Sequence, residues 1–321
     1  MSVQPSRFAA AALLGWALTQ ICVGEVVLSQ VPVEVIAKLG EQSITNRDVD
    51  FQLGRVASET SEPLIALPPA ILQSTIQLVA QQRQALQTMR TRNLAVRRDD
   101  VERWMEENGQ PGNGETLSAE ALIRKQSRQA GISESNLRDH LAFRLSWQRY
   151  LQQQLNEKNV AKHFENQTKR FDGTRFRVSL VNIAVSAGKS PKRERLAQGL
   201  ADLHGRLMSA ELPWKGVADE LMKLEPIDAK DSVRVREQIW CRGTGDLDPT
   251  LVTTLMKMMP EEVSEPIHTA TGVHLIKLHK VEAGSKALAD VRDEVRVHML
   301  IHLLEHLARQ SESQLPLQAI E

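Results

Sequence analysis

Beyond a short apolar run at residues 33–39 (VEVIAKL), hydrophobic side chains recur every three or four positions as far as about residue 170, the spacing of helices with one buried face. The run itself predicts a strand, and residues 40–43 a turn after it. Thr45 or Asn46 can then cap a helix starting near Arg47, because their side-chain oxygens accept the backbone N–H groups left over at a helix start. Pro68 and Pro69 open a long helix to about Arg92, with Ile71, Leu72, Ile76, Val79 and Leu86 on one face and Gln81, Gln82, Gln84 and Gln87 on the other. Further helices are expected over residues 98–107, 117–130, 134–155 and 160–170. In the third of these Leu137, Leu141, Leu145, Trp147, Tyr150 and Leu151 form a broad apolar stripe. The Gly, Pro and Asn content of residues 109–114 predicts a loop.

The pattern changes near residue 175. Residues 176–185 (FRVSLVNIAV) are rich in β-branched side chains and predict a strand. Helices at 191–210 and 214–223 follow, then a strand at 234–240, a short helix at 250–258 and a strand at 273–281 (VHLIKLHKV). A β-α-α-β-α-β order within about 105 residues predicts a compact antiparallel sheet with helices against it. The last helix, 288–309, is apolar nearly all round between Val297 and Leu307 and so belongs in a core. The small module has no need of it. The expected fold class is therefore α+β: a helical domain at 30–174, an inserted sheet-and-helix module at 175–282, and a C-terminal segment, 283–321, whose helix returns to the helical domain.

A chain of 321 residues accommodates two such domains. Its 40 Lys and Arg are balanced by 40 Asp and Glu. It has no basic surplus with which to displace counterions from phosphates, which disfavours a nucleic-acid partner. With one Tyr, six Phe and five Trp, a stacking surface for bases or sugars is disfavoured too. At the N-terminus Arg7 precedes an apolar run, residues 8–18, which Thr19 and Gln20 interrupt. A lipid-spanning helix needs roughly 20 apolar residues and a secretory leader only about 7–15. Residues 1–29 thus read as a signal peptide, with an uncleaved membrane anchor as the alternative. A lipid-anchored Cys22 is disfavoured, because Thr19-Gln20-Ile21 lacks small residues. Removal of a leader containing Cys22 would leave Cys241 alone, with no internal disulfide and no neighbour in sequence to activate its thiol.

The segment Thr269-Ala270-Thr271-Gly272-Val273-His274-Leu275-Ile276 resembles the last strand of the parvulin (PpiC-type) prolyl isomerases, where Thr-x-Ser/Thr-Gly-x-His-hydrophobic-Ile recurs. Val263-Ser264-Glu265-Pro266-Ile267 resembles the family's Val-Ser-x-Pro-Val, and Gly245-Asp246-Leu247-Asp248-Pro249-Thr250-Leu251 its Gly-x-Met-x-Pro-x-Phe. The resemblance covers residues 176–278. The flanks, at 36–50, 130–138 and 160–171, are similar to the exported chaperone-isomerases of the SurA and PrsA kind. What this implies is a peptidyl-prolyl cis-trans isomerase with chaperone activity in the periplasm or cell envelope. Its partners would be unfolded or extended polypeptides containing proline, and its only membrane contact an uncleaved leader. No cofactor or metal is implied, since the rotamase reaction makes and breaks no bond. By the same resemblance Leu247 and Leu251 would line the proline slot with Trp240 beside them. His274, Thr269 and Thr271 would form the polar network behind it, and Asp228, or else Asp231, would stand where the family has Cys or Asp.

Departures from the family pattern matter as much. Its first strand carries a histidine in a His-Ile-Leu segment, whereas this chain has Asn182-Ile183-Ala184, or Leu180 in a register shifted by one strand period. The Gly-Gly-Asp-Leu-Gly-Trp segment is reduced to Arg236-Glu237-Gln238-Ile239-Trp240, and the slot Phe is the smaller Leu251. Asn182 can replace one hydrogen bond of a neutral imidazole. Two readings therefore stay open, a catalyst and a non-catalytic holder or envelope scaffold. Elsewhere, Lys189, Lys192, Arg193 and Arg195 read as a solvated helix start. His298, His302 and His306 share one helix face. Imidazoles at i, i+4 can chelate zinc, but Glu305 lies off that face and no cysteine is near, so they read as a packed, hydrogen-bonded stripe.

Overall fold

A computed structural model describes residues 33–54, 69–111, 115–184, 191–209, 211–224, 233–269 and 272–319; the leader lies outside them. Contacts divide the chain into two compact units, residues 1–159 with 296–321, and Val160–Val295.

In the first unit β1 (Val35–Leu39) and β2 (Gln42–Thr45) form an antiparallel hairpin, and β7 (Leu317–Ala319), from the other end of the chain, pairs with the free side of β1. The turn is tighter than expected. Gly40, at φ +59°, lets the chain reverse within two residues, so Gln42 and Ser43 already belong to β2. Thr45 then caps α1 (Asn46–Gln52) in a capping box: its Oγ1 accepts from the Asp48 N–H at 3.2 Å, and Asp48 Oδ2 accepts from the Thr45 N–H at 2.8 Å. Next come α2 (Pro69–Thr91), α3 (Arg98–Asn108), α4 (Ala119–Ala130) and α5 (Glu134–Gln154), the last two capped by Ser118 and Ser133. Of the expected stripe on α5, Leu137, Leu141 and Trp147 are buried in a core shared with Leu86, Met89 and Leu122, and Leu145, Tyr150 and Leu151 are half-buried against it.

Both ends of the chain build this unit. Leu300, Leu304 and Leu307, on the last helix (Leu288–Arg309), join the same core. The contact is also polar. Thr88 Oγ1 donates to the Leu307 carbonyl at 2.8 Å, Ser311 Oγ to the Gln84 carbonyl at 2.6 Å, and Gln84 Nε2 to the Leu315 carbonyl at 2.8 Å. On the glutamine face of α2, Gln84 is buried with its amide on the Leu315 carbonyl, and Gln81, Gln82 and Gln87 are half-buried, while Thr88 satisfies a carbonyl in the last turn of the returning helix.

The second unit begins within α6 (Glu157–Asn166) and continues through α7 (Thr168–Phe171), β3 (Arg175–Ala184), α8 (Pro191–Met208), α9 (Val217–Leu224), β4 (Val233–Arg242), α10 (Pro249–Leu255), β5 (Ile267–Thr269) and β6 (Gly272–Glu282), reaching into the last helix, α11 (Leu288–Arg309). Its four strands pair antiparallel in the order β4-β3-β6-β5. β5 was not expected, because three residues are too few to show alternation. On one face Val181, Ile183, Val273 and Leu275 pack against Leu200, Leu203 and Leu207 of α8. On the other, Phe176, Val178, Leu180, Ile276 and Leu278 pack against Leu251 and Leu255 of α10. Where the sheet is entered and left, two segments cross closely. Gly284 donates to Thr174 Oγ1 at 3.0 Å, and a Cβ on Gly284 would stand 2.1 Å from the Asp172 carbonyl oxygen, so only glycine fits.

Candidate functional site

The face of the sheet that meets α10 carries the residues singled out in the sequence. Alternation along β6 sets His274 on the same side as Ile276 and Leu278, and alternation along β3 sets Asn182 with Leu180 and Val178. His274 and Asn182 are direct partners in the β3–β6 register, and Ile267 of β5 flanks His274 on its other side. In this register Leu180 pairs with Ile276, and Asn182 is the residue opposite the imidazole.

His274 is buried at 3% exposure, with Nε2 2.7 Å from Thr269 Oγ1. The Thr269 hydroxyl has one proton, which it either gives to Nε2 or directs at the Gly272 carbonyl 3.5 Å away while accepting from the ring. Asn182 Oδ1 is buried and has no hydrogen-bond partner among the described residues. The Val-Ser-x-Pro segment acquires a mechanical reason: Ser264 exchanges backbone bonds with Ile276, its N–H reaching the Ile276 carbonyl at 2.8 Å, while its Oγ accepts from the Ile276 N–H at 3.0 Å. His204 of α8 approaches the Val263 carbonyl at 3.0 Å from the far face. The Val263–Ser264 segment is thus held by α8 and by the strand bearing His274.

Leu247 and Leu251 belong to one apolar cluster on this face, with Ile267, Ile276 and Met258. Asp248 caps α10 by accepting from the Thr250 N–H at 2.8 Å, Pro249 fills the first turn, and Leu251 is thereby turned inward. Leu251 is only 2% exposed, whereas Leu247 and Met256 are half-buried at the margin of the cluster. The two methionines and Ile267 were not foreseen as neighbours of the leucines. Their signal, apolar residues following the helix, is what any core segment shows.

Trp240 is not brought to this group. Counting alternate residues from Val233 and Val235, which face α8, would put it beside the leucines. Two residues of β4, Glu237 and Gln238, instead oppose the single Ser179, and Gln238 sits at φ +51°. This bulge inverts the parity of the strand. Ile239 and Cys241 consequently face α10, and Trp240 lies on the opposite face, 40% exposed, under the Arg175 guanidinium at 5.1 Å. Cys241 is buried, and burial, with Asp246 adding, pushes its thiol up to about 12, so it is inert. Asp228, Asp231, Thr271 and Lys189 lie outside the described residues.

On that opposite face Ser179 Oγ is 2.8 Å from His279 Nε2, whose Nδ1 is 4.0 Å from Glu261 Oε1. The order is that of a hydrolytic triad, but the chemistry is not. Ser179 is 1% exposed and its oxygen already accepts the Gln238 N–H at 3.1 Å, so no acyl group can reach it.

Residues 228–280 match the model of the PPIC-type rotamase (peptidyl-prolyl isomerase) domain. Over 256 residues the chain is 22% identical to the chaperone SurA of Thiobacillus denitrificans, an alignment covering 76% of this chain and 56% of that protein, so the chain spans little more than half of that relative's length. Among solved structures, the peptidylprolyl isomerase PrsA of Bacillus anthracis aligns at 15% identity over 74% of this chain and 95% of its own, with a TM-score of 0.29. A SurA-like chaperone structure of Campylobacter jejuni aligns at 12% over 89% and 99%, with a TM-score of 0.24. Scores of this size do not establish a common arrangement of the whole chain. The sheet, its helices and the rotamase match together place the module in the parvulin, or PPIC-type, family of prolyl isomerase domains, carried by a chain similar to SurA.

Proposed function

We propose that this protein is an exported folding factor that holds extended polypeptide and turns X-Pro bonds in its rotamase module. The observation that carries the reading is the buried Thr269–His274 hydrogen bond on the sheet face shared with Leu247 and Leu251. Rotation about an X-Pro amide faces a barrier of about 18–20 kcal/mol, because twisting breaks the resonance of the bond. No covalent step is needed to lower it. An apolar contact for the proline ring, removal of water from the amide and hydrogen bonds placed for the twisted form suffice. In this assignment Leu247 and Leu251 meet the ring, His274 and Thr269 supply the polar floor with Thr271 and Asp228, and Asn182 stands in for a second imidazole. Export rests on the apolar run that follows Arg7.

The test is refolding of a client whose slow phase is X-Pro isomerisation, a step of tens to hundreds of seconds when uncatalysed. The chain is expected to shorten that phase, and His274→Ala to abolish the effect. An unchanged slow phase with the wild-type chain removes the enzyme assignment.

A second reading has its own support. With Asn182 opposite His274 and Leu251 covered, the module would hold proline segments without turning them. Suppressed client aggregation with unaltered isomerisation kinetics selects this alternative. Asn182→His separates the two further: a gain of about tenfold in rate would mark a site otherwise intact.

A further inference from the structure

Arg170 stands in the one-turn helix α7 with 7% of its surface exposed, next to the buried Phe171. Backbone contacts fix its place. Its N–H donates to the Gln167 carbonyl at 2.8 Å, and the chain leaving β4 lies directly on it. A Cβ on Gly243 would stand 2.6 Å from the Arg170 Cα and 2.8 Å from its carbonyl oxygen, so this approach requires glycine. The guanidinium is poorly matched to such burial. Nε is enclosed and has no hydrogen-bond partner among the described residues, and the bond from Nη2 to Thr253 Oγ1 of α10 is long, at 3.4 Å. Among the described residues no Asp or Glu pairs with Arg170. Asp172, two positions on, spends Oδ1 on the Thr174 N–H at 2.8 Å. Burial lowers the Arg170 pKa and no neighbouring charge raises it, yet a guanidinium stays protonated, so the charge is left uncompensated.

Burying a charge is offset only by an opposite charge or a full set of hydrogen bonds. We propose that Arg170 anchors an oxyanion subsite of the module that takes a single carboxylate, end-on against the two Nη groups beside Thr253. Thr253 is exposed, so the Nη2 end of the side chain lies toward solvent while Nε does not. The planar fork of a guanidinium matches the two oxygens of a carboxylate. Phosphate, with more charge, would need a second cation. Arg242, beside Gly243, is already engaged by Asp246, to which it donates from its N–H at 2.8 Å and from Nε at 3.3 Å. The Thr253 hydroxyl donates to the Pro249 carbonyl at 2.9 Å, so it presents no proton to a ligand. One positive charge therefore meets one negative charge. The subsite uses none of the residues assigned to the proline ring and does not depend on that assignment.

The probe is acetate, titrated into the full chain against chloride at the same ionic strength. Acetate should raise the unfolding temperature saturably, and Arg170→Met, which removes the uncompensated charge, should fold with equal or greater stability and show no such rise. Arg170→Lys keeps the charge without the fork and should bind acetate about tenfold more weakly. The Arg170 Nε–H resonance, identified by its absence from Arg170→Lys, should move along the same titration and so place the ligand at this side chain. A capped peptide with one Glu and its Gln counterpart separate the two sources of a carboxylate. Binding of the Glu peptide at least tenfold tighter than acetate, with none of the Gln peptide, assigns the subsite to polypeptide; equal affinities assign it to a free anion. An Nε–H resonance that acetate does not move overturns the proposal. So does an equal rise in Arg170→Met, or phosphate binding more tightly than acetate.

Discussion

In the helical unit the buried Asp48 carboxylate is met on every side: by Arg83 at 2.9 Å and Asn136 Nδ2 at 2.9 Å on one oxygen, and by the Thr45 N–H at 2.8 Å and hydroxyl at 2.9 Å on the other. In the rotamase module the buried Thr269–His274 pair faces an Asn182 whose Oδ1 has no partner among the described residues. The first cluster satisfies both carboxylate oxygens and ties α1, α2 and α5 together. The second leaves an acceptor unspent where, under the proposed function, a polypeptide amide would be recognised. A folding element tends toward full satisfaction of its polar groups, whereas a binding site tolerates a deficit that its ligand removes.

The largest effect should come from breaking the complete cluster. Asp48→Ala strips the carboxylate from an Arg83 side chain that is 12% exposed, leaving it the Ser43 carbonyl, and removes one half of the α1 capping box. An uncompensated charge of this kind is expected to destabilise the helical unit by about 3 kcal/mol. Denaturant unfolding measures it, and a change below about 1 kcal/mol would mean that the cluster is ornamental.

The same cluster borders a pH-sensitive group. His140, in edge contact with Phe51 at 4.8 Å, has its pKa lowered from 6.5 to about 4, first by burial and then by Arg144 and Arg83. The unfolded chain therefore binds a proton that the folded chain refuses. Stability is expected to be level above about pH 6.5 and to fall as pH drops toward 4, by about 1–3 kcal/mol for a half-buried ring. His140→Gln should flatten the profile across that window. A profile identical to wild type would assign the acid sensitivity to other groups.

Thr269→Val and Asn182→Val sharpen the contrast within the module. Thr269→Val leaves the His274 imidazole without the 2.7 Å hydroxyl and should cost about 1 kcal/mol. Asn182→Val removes a buried acceptor that has no partner among the described residues and adds a β-branched residue to a strand, so it should be neutral or stabilising by up to about 1 kcal/mol. Opposite signs in thermal unfolding are the expected outcome. Equal destabilisation would mean that Asn182 is part of the fold rather than of a site.

These contrasts also explain what the sequence discloses. Caps, helix stripes and the Thr269-to-His274 motif are local, within about five residues, and each was legible because its physics is local. The return of α11 to the helical unit was legible too, since a helix apolar nearly all round has to be buried. Asn182 and His274 lie far apart in the chain, and only strand register joins them. Trp240 lies across the sheet from Leu247 and Leu251 because a single bulge residue reverses every side chain beyond it, which the sequence does not disclose. The short β5 and β7 strands owe their existence to partners rather than to their own residues.

The smallest expected effect tests that dependence on backbone detail. Glu261 occupies φ +70°, where a residue with a Cβ is strained by about 1–2 kcal/mol. Its N–H donates to the Leu278 carbonyl at 2.6 Å, which fixes the turn leading to Val263 and Ser264. Its carboxylate also holds Lys277 at 3.0 Å, but the Glu261 side chain is 66% exposed, so that pair is worth at most about 1 kcal/mol. Glu261→Gly relieves the strain and loses the pair, for a net gain of about 0.5 kcal/mol in the module. Glu261→Ala loses the pair without relieving the strain and should destabilise by a similar amount. If both variants move in the same direction, the turn is held by its side-chain contacts, and the backbone account of how β6 presents His274 fails.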